Sequence, residues 1–313
     1  MFRILLLTFI SSLLLSCNDY QKLLNSTENE VDKYTAAESY YNNKEFRRAN
    51  SLIEQILPSY RGKPQGERLQ YFFANSYYET KIYYSAAIQF SNFIKSYPNS
   101  QRIQEAYLME AKSYFMLSPL YTLDQDDTVT AIDKFQVFIN RFPNSEYLSE
   151  AIELMSQLQN KLERKDFEIS KQYHTIRDYN SAIKSFDNFI ADNPGSIFRE
   201  EALYFKWLSQ YEIAVNSIEA RINERVTELE RSLNNFLRYY PNTIFIEDLS
   251  EKVISVELGF ISNFLIDFIE LSPPQIILKS HSLEIFFLKL SLFSYLTITT
   301  LFFNFLNFFL LKI

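Results

Sequence analysis

The sequence predicts an all-α fold of about five stacked helical pairs, and three observations carry that expectation. A short proline turn recurs as SYPNS at 96–100, RFPNS at 141–145, DNPGS at 192–196 and YYPNT at 239–243. Twelve residues before each proline stands Ala86, Ala131, Ala182 or Leu229. Large apolar residues then follow at +4, +7 and +8, which is one stripe of a helix with a period near 3.6.

The first copy keeps this register without the proline, as Ala49 followed by Ile53, Ile56 and Leu57. The second has Phe90, Phe93 and Ile94, the third Phe135, Phe138 and Ile139, the fourth Phe186, Phe189 and Ile190, and the fifth Leu233, Phe236 and Leu237. The spacings between successive starts are 37, 45, 51 and 47 residues. The shortest is close to a tetratricopeptide unit, and the others read as that unit with longer helices or loops. Phe46, Tyr83 and Tyr179 each stand three residues before a start, a place held by Thr128 and Val226 in the other copies. The glycines of the tetratricopeptide signature are absent.

The proline turn explains why each helix stops, since proline donates no backbone hydrogen bond and disfavours helix at the residue before it. Two residues on, Ser100, Ser145, Ser196 and Thr243 are placed to cap the next helix. Glu105, Glu150, Glu201 and Asp248 follow near that helix start, where the helix dipole favours negative charge. Ala106, Ala151 and Ala202 come next, small enough for close helix approach, with Leu249 in the last copy. Neither helix of a pair buries its apolar face alone, so the pairs stack into a tetratricopeptide-like solenoid.

Both ends differ from the repeats. Arg3 precedes an apolar run from Ile4 to Leu15, then Ser16 and the only cysteine, Cys17. The run is too short to span a bilayer and reads as a secretory signal over 1–16. Leu14-Leu15-Ser16-Cys17 resembles the bacterial lipobox, which makes Cys17 the lipidation site. A single cysteine also argues against a disulfide framework. Asn18 rather than Asp follows, so the usual inner-membrane retention signal is missing and an outer-membrane address is allowed. Residues 17–30 read as a polar tether and 31–258 as the helical repeat domain. From Gly259 the chain has no Ala, Arg, Val or Met, and Leu290–Leu311 is uncharged and mostly apolar. Two accounts fit 259–313: a membrane-spanning segment, or the product of shifted-frame or read-through translation.

Composition narrows the function classes. A net charge of −7 without a basic run argues against nucleic acid. Four glycines and 17% aromatics suit stacked helices rather than phosphate loops, and no cofactor is expected. The two histidines, His174 and His281, belong to no zinc or nucleophile constellation. LDQDDT at 123–128 lacks the glycine and terminal glutamate of a calcium loop, and reads as a solvated loop capping a helix that starts near Thr128. His174 is expected near a helix end, at the surface or capping. The chain reads as a non-enzyme.

Tyrosine and phenylalanine crowd the first two repeats, at Tyr40, Tyr41, Tyr71, Phe72, Phe73, Tyr77, Tyr78, Tyr83 and Tyr84. Adjacent helical positions point about 100° apart, so both members of a pair do not face one core stripe easily. Some of these rings are therefore expected on a binding surface.

The lipobox cysteine, the five repeats and three longer stretches together resemble the BamD family, lipoproteins of the machinery that inserts β-barrel proteins into the bacterial outer membrane. The stretches are YTLDQDDTVTAIDKFQVFINRFPNSEYLSEA at 121–151, KLERKDFEISKQYHTIRDYNSAI at 161–183 and YEIAVNSIEARINERVTELERSLNNFLRYYPNT at 211–243. The resemblance covers Cys17 to about Leu258. It implies lipid anchoring at the periplasmic face of the outer membrane and docking on the central barrel protein, BamA. It also implies receipt of unfolded barrel clients through their amphipathic C-terminal strand, for which an aromatic groove is apt. By this resemblance Tyr40, Tyr41, Tyr71, Phe72, Tyr77 and Tyr78 form the client surface. Arg177, Asp178, Arg221 and Arg225 form the BamA-facing surface. The alternative reading is a generic periplasmic tetratricopeptide adaptor lipoprotein, serving a cell-wall or nutrient-uptake complex.

Overall fold

A computed structural model describes residues 19–27 and 29–256, and every regular element among them is helical. After α1 (19–25) come α2 (Glu30–Asn42), α3 (Phe46–Ile56), a 3-10 turn (Leu57–Tyr60), α4 (Pro64–Glu79) and α5 (Tyr83–Ser96). Then follow α6 (Ile103–Leu117), α7 (Asp126–Arg141), α8 (Leu148–Thr175), α9 (Tyr179–Asp192), α10 (Arg199–Val215), α11 (Glu219–Tyr239) and α12 (246–256). The domain expected over 31–258 divides into two compact units, Met1–Gln210 and Tyr211–Ile313. Cys17, the expected secretory signal over 1–16 and the 259–313 tail lie outside the described residues.

In the first unit each helix from α2 to α9 packs on its chain neighbours, the nearest-neighbour logic of an all-α, tetratricopeptide-like solenoid. The apolar stripe forms its core: Ala49, Ile53, Ala86, Phe90, Phe93, Ala131, Phe135, Phe138, Ala182 and Phe186 are all fully buried. Ala106, Ala151 and Ala202 are fully buried as well. The uneven spacing has two sources here: an eight-residue connection at 118–125 and the 28-residue α8.

The four proline turns share one hydrogen-bond set. Ser100, Ser145, Ser196 and Thr243 each donate their N–H to the residue three before, at 3.0–3.2 Å. Their hydroxyl oxygens accept from the N–H two residues on: Arg102 at 3.0 Å, Tyr147 at 3.3 Å, Phe198 at 3.2 Å and Phe245 at 3.3 Å. These residues act one turn earlier than expected. Each closes a hydroxyl-bonded turn, and the α-helix begins three residues further on.

The missing glycines have a structural counterpart. Lys44, Lys81 and Arg177 take φ of 62°, 63° and 65°, the left-handed region where a helix usually ends in glycine. Each sits in the same double-bonded helix stop. Lys81 N–H donates to Tyr78 O and Ile82 N–H to Tyr77 O, both at 2.9 Å, and Arg177 and Asp178 repeat this on His174 and Tyr173.

The expected polar tether is in part folded. Tyr20, Leu23 and Leu24 of α1 pack against the first core, and buried Lys33 donates to Ser26 O at 2.5 Å and Gln55 Oε1 at 2.6 Å. Spacing in that segment is apolar enough to dock although its composition is polar. Among the described residues no helix is long and apolar enough to cross a membrane.

Candidate functional site

The aromatic end is built by α2, α4 and α5. Tyr41 of α2 lies face to face with Phe72 of α4, ring centroids 3.8 Å apart and 13° from parallel. Asn75, one turn after Phe72, donates to the Tyr41 hydroxyl at 2.8 Å. Burial raises the Tyr41 phenol above its ordinary value, and the Asn75 bond partly offsets this. Arg68 lies over Phe72 at 5.3 Å and pairs with Glu38.

Tyr71 faces the other way, edge-on to Phe90 and Phe93 at 6.1 and 5.7 Å. Arg102 caps its ring at 4.3 Å. Burial, reinforced by the neighbouring Glu105 carboxylate, holds Tyr71 far above the phenol range.

Tyr71 and Phe72 are only 3% and 4% exposed, so the expected open surface does not include their rings. Phe73 beside them is buried too. Three consecutive residues bury because α4 has neighbours on several sides, α2 at Tyr41 as well as α3, α5 and the Leu57–Tyr60 turn, rather than along one stripe. Tyr40, Tyr41, Tyr77 and Tyr78 remain half-buried. Tyr40 is edge-on to Tyr20 at 5.4 Å, with Arg48 over both rings. Tyr77 is edge-on to Phe73 at 4.8 Å and Tyr78 to Tyr83 at 5.4 Å. The most open ring of the group is Tyr84, 63% exposed, which the choice of six residues left out. Its signal was its place beside Tyr83 at the helix start, where only one of two neighbours can turn inward.

The four residues expected to dock a partner have unequal freedom. Arg177 and Asp178 are exposed in the turn between α8 and α9 of the first unit. Asp178 also caps α9, accepting from Ser181 N at 3.2 Å. Arg221 and Arg225 belong to the second unit. Arg221 is exposed, whereas Arg225 turns inward and donates to Ile213 O at 3.3 Å and to the Ser217 hydroxyl. It is tied to the C-terminal end of α10, where a cation suits the free carbonyls.

The acidic loop is largely exposed, as expected. The helix begins at Asp126, and Asp124 Oδ1 accepts the Asp126 N–H at 3.0 Å. Thr128, inside the first turn of that helix, is fully buried and bonds Gln125 Oε1 at 2.8 Å and Ser118 Oγ at 2.6 Å, which pins the loop to the helix. Among the described residues no cluster of His, Cys, Asp or Glu could hold a metal ion. His174 is half-buried, not a surface group. Its Nδ1 lies 2.9 Å from Ser209 Oγ, and its ring is edge-on to Phe205.

Comparison with known proteins follows the repeats. The family YfiO, outer membrane lipoprotein, matches residues 26–184 and 172–260. An outer membrane protein assembly factor BamD from Rickettsia prowazekii is 27% identical over 164 residues, covering 51% of this chain and 64% of that protein. The one from Pasteurella multocida is 22% identical over 156 residues, covering 46% of this chain and 59% of that protein. The chain thus matches about three fifths of the length of these curated relatives. Among solved structures, the TPR-like repeats of a Podosopora anserina kinesin light chain align at a TM-score of 0.29 and 12% identity, over 70% of this chain and all of that one. A second structure of those repeats aligns at 0.28 and 11%, over 73% and 95%. The family match runs from the first helical pair to the last described helix, and on that ground the chain belongs to the YfiO family of outer membrane lipoproteins.

Proposed function

We propose that this protein is a lipid-anchored scaffold of outer-membrane protein assembly, held by Cys17 at the periplasmic face, that docks on a BamA-like barrel protein and receives unfolded barrel clients. The observation that carries the reading is the family match over the whole stack of described repeats, joined to relatives named as outer membrane protein assembly factors. Clients meet the aromatic end at Tyr40, Tyr41, Tyr77 and Tyr78, with Tyr71 and Phe72 shaping it from beneath. Half-buried rings suit this task, since they add apolar area without needing to reorder on binding. Arg177, Asp178, Arg221 and Arg225 face the barrel protein, Arg225 by holding its helix end in place. The protein performs no chemistry in this reading; it positions chains.

The test is a mild-detergent pull-down of the lipoprotein from its own membranes, with partners read by mass spectrometry. Recovery of a barrel protein bearing soluble periplasmic domains, with loss of outer-membrane proteins on depletion, is the expected result. Recovery of a nutrient-uptake barrel, or of no barrel, overturns the assembly role.

A further inference from the structure

A groove of about 610 Å³ lies away from the aromatic end, where the 118–125 loop meets α8. Its α8 side presents Gln157, Asn160, Lys161 and Arg164. These positions, three and four apart, share one helix face. The loop side presents Pro119, Leu120 and Tyr121, and Phe198 closes the end. No carboxylate lines it, in a chain whose net charge is −7.

Both cations are oriented but unsaturated. Lys161 Nζ lies 2.7 Å from Ser118 Oγ and 3.5 Å from Ser118 O, and pairs with no carboxylate among the described residues. An ammonium has three donors, so one is left over. Partial burial lowers its pKa, a cost that an incoming anion reverses. Arg164 rests over the Tyr121 ring at 4.4 Å, and among the described residues its ion pair is a long one, with Glu168 at 3.9 Å. Its long pairing with Glu168 leaves most of the five N–H donors of the guanidinium available for a carboxylate.

The apolar side is held as firmly. Gln125 Nε2 donates to Leu120 O at 2.8 Å and to Leu123 O at 2.9 Å, and Lys165 Nζ donates to Leu123 O at 2.6 Å. The loop backbone is therefore fixed while the Leu120 side chain stands 72% exposed beside the two cations. Fixed exposed leucine next to unsaturated cations is a two-part recognition surface: one part needs a carboxylate, the other an apolar group.

We propose that this groove binds an extended peptide of a partner protein carrying an acidic side chain flanked by large apolar residues. The carboxylate meets Lys161 and Arg164, the amides of Gln157 and Asn160 serve the peptide backbone, and the apolar flanks cover Leu120, Tyr121 and Phe198. A small inorganic anion would leave Leu120 uncovered, and charge complementarity selects an acidic over a basic peptide. The site is independent of the barrel-assembly reading.

The test uses the full chain in detergent and a fluorescein-labelled peptide GLFDFLG, read by fluorescence anisotropy. Comparators are GLFNFLG, which removes the charge, and GSSDSSG, which removes the apolar flanks. Arg164→Gln and Leu120→Ser change exposed side chains and keep the fold, which thermal melts check; Lys161→Gln is the third variant. Loss of a charge-assisted contact predicts at least roughly tenfold weaker binding for GLFNFLG and for each cation variant. Weaker binding of GSSDSSG and by Leu120→Ser is also expected. Equal binding of GLFDFLG and GLFNFLG, unchanged binding by Arg164→Gln and Leu120→Ser, or no binding of GLFDFLG below about 1 mM overturns the proposal.

Discussion

Tyr41 and Phe72 stack 3.8 Å apart and nearly parallel, joining α2 to α4 through one aromatic contact. Stacked rings add about 0.5–1.5 kcal/mol beyond the area they bury. A double-mutant cycle with Tyr41→Ala and Phe72→Ala in denaturant should return a coupling energy of that size. Phe72→Ala alone should cost about 3–5 kcal/mol, because its site is enclosed on several sides. A coupling near zero would mean that the two rings share a core without supporting one another.

The left-handed residues Lys44, Lys81 and Arg177 give a test that separates folding from docking. Replacing Lys81 by glycine removes the Cβ strain of this conformation and should raise stability by roughly 0.5–1 kcal/mol. Arg177→Gly should raise stability by a similar amount. If Arg177 contacts the barrel partner, the same variant recovers less of that partner in the pull-down while melting higher. Undiminished recovery removes Arg177 from the docking surface.

Gly66 is required for a different reason, since its backbone is not left-handed. A Cβ there would lie 2.1 Å from Tyr60 O and 3.0 Å from the Tyr97 hydroxyl. Backbone cannot give way as a side chain does, so Gly66→Ala should displace the Leu57–Tyr60 turn from α4. The expected cost is about 1–3 kcal/mol, read as a lower denaturation midpoint. Gly62→Ala makes a useful contrast, because its site has open space but a φ of 75°.

Alkaline pH should unfold the aromatic end. Tyr41, Tyr71, Tyr77 and Tyr78 are all raised above 10.0, chiefly by burial. A raised acid binds its proton more tightly folded than unfolded, so this stability is complete below the unfolded value and is lost as pH climbs past it. Denaturation midpoints should be level near about pH 8 and fall from about pH 10 upward. Tyr71→Phe should show a shallower fall, since one titrating group is gone. An unchanged slope would indicate that Tyr71 ionises while folded.

Much of the fold was legible because the helical period is a local property of the chain. Ala86, Phe90 and Phe93 lie on one face of any helix that contains them, and all three are fully buried here, with Ile94 at the edge of the stripe half-buried. The proline turns were legible for the same reason, down to the hydroxyls of Ser100 and Ser145, although their bonds close a turn ahead of the helix. The Lys44, Lys81 and Arg177 stops were not, because lysine and arginine carry no sign of left-handed backbone and only the helix-ending bonds reveal it.

By itself the sequence determined the repeat, the inward stripe and the family. Tertiary structure decided which aromatics remain accessible, because burial counts neighbours on every side. Tyr71, Phe72 and Phe73 are adjacent residues, yet all are buried: Tyr71 meets Phe90 and Phe93 of α5, and Phe72 meets Tyr41 of α2. It likewise turned Arg225 inward onto a helix end and left Lys161 and Arg164 facing an open groove. No periodicity encodes those outcomes: a side chain's solvent access depends on what other segments place beside it.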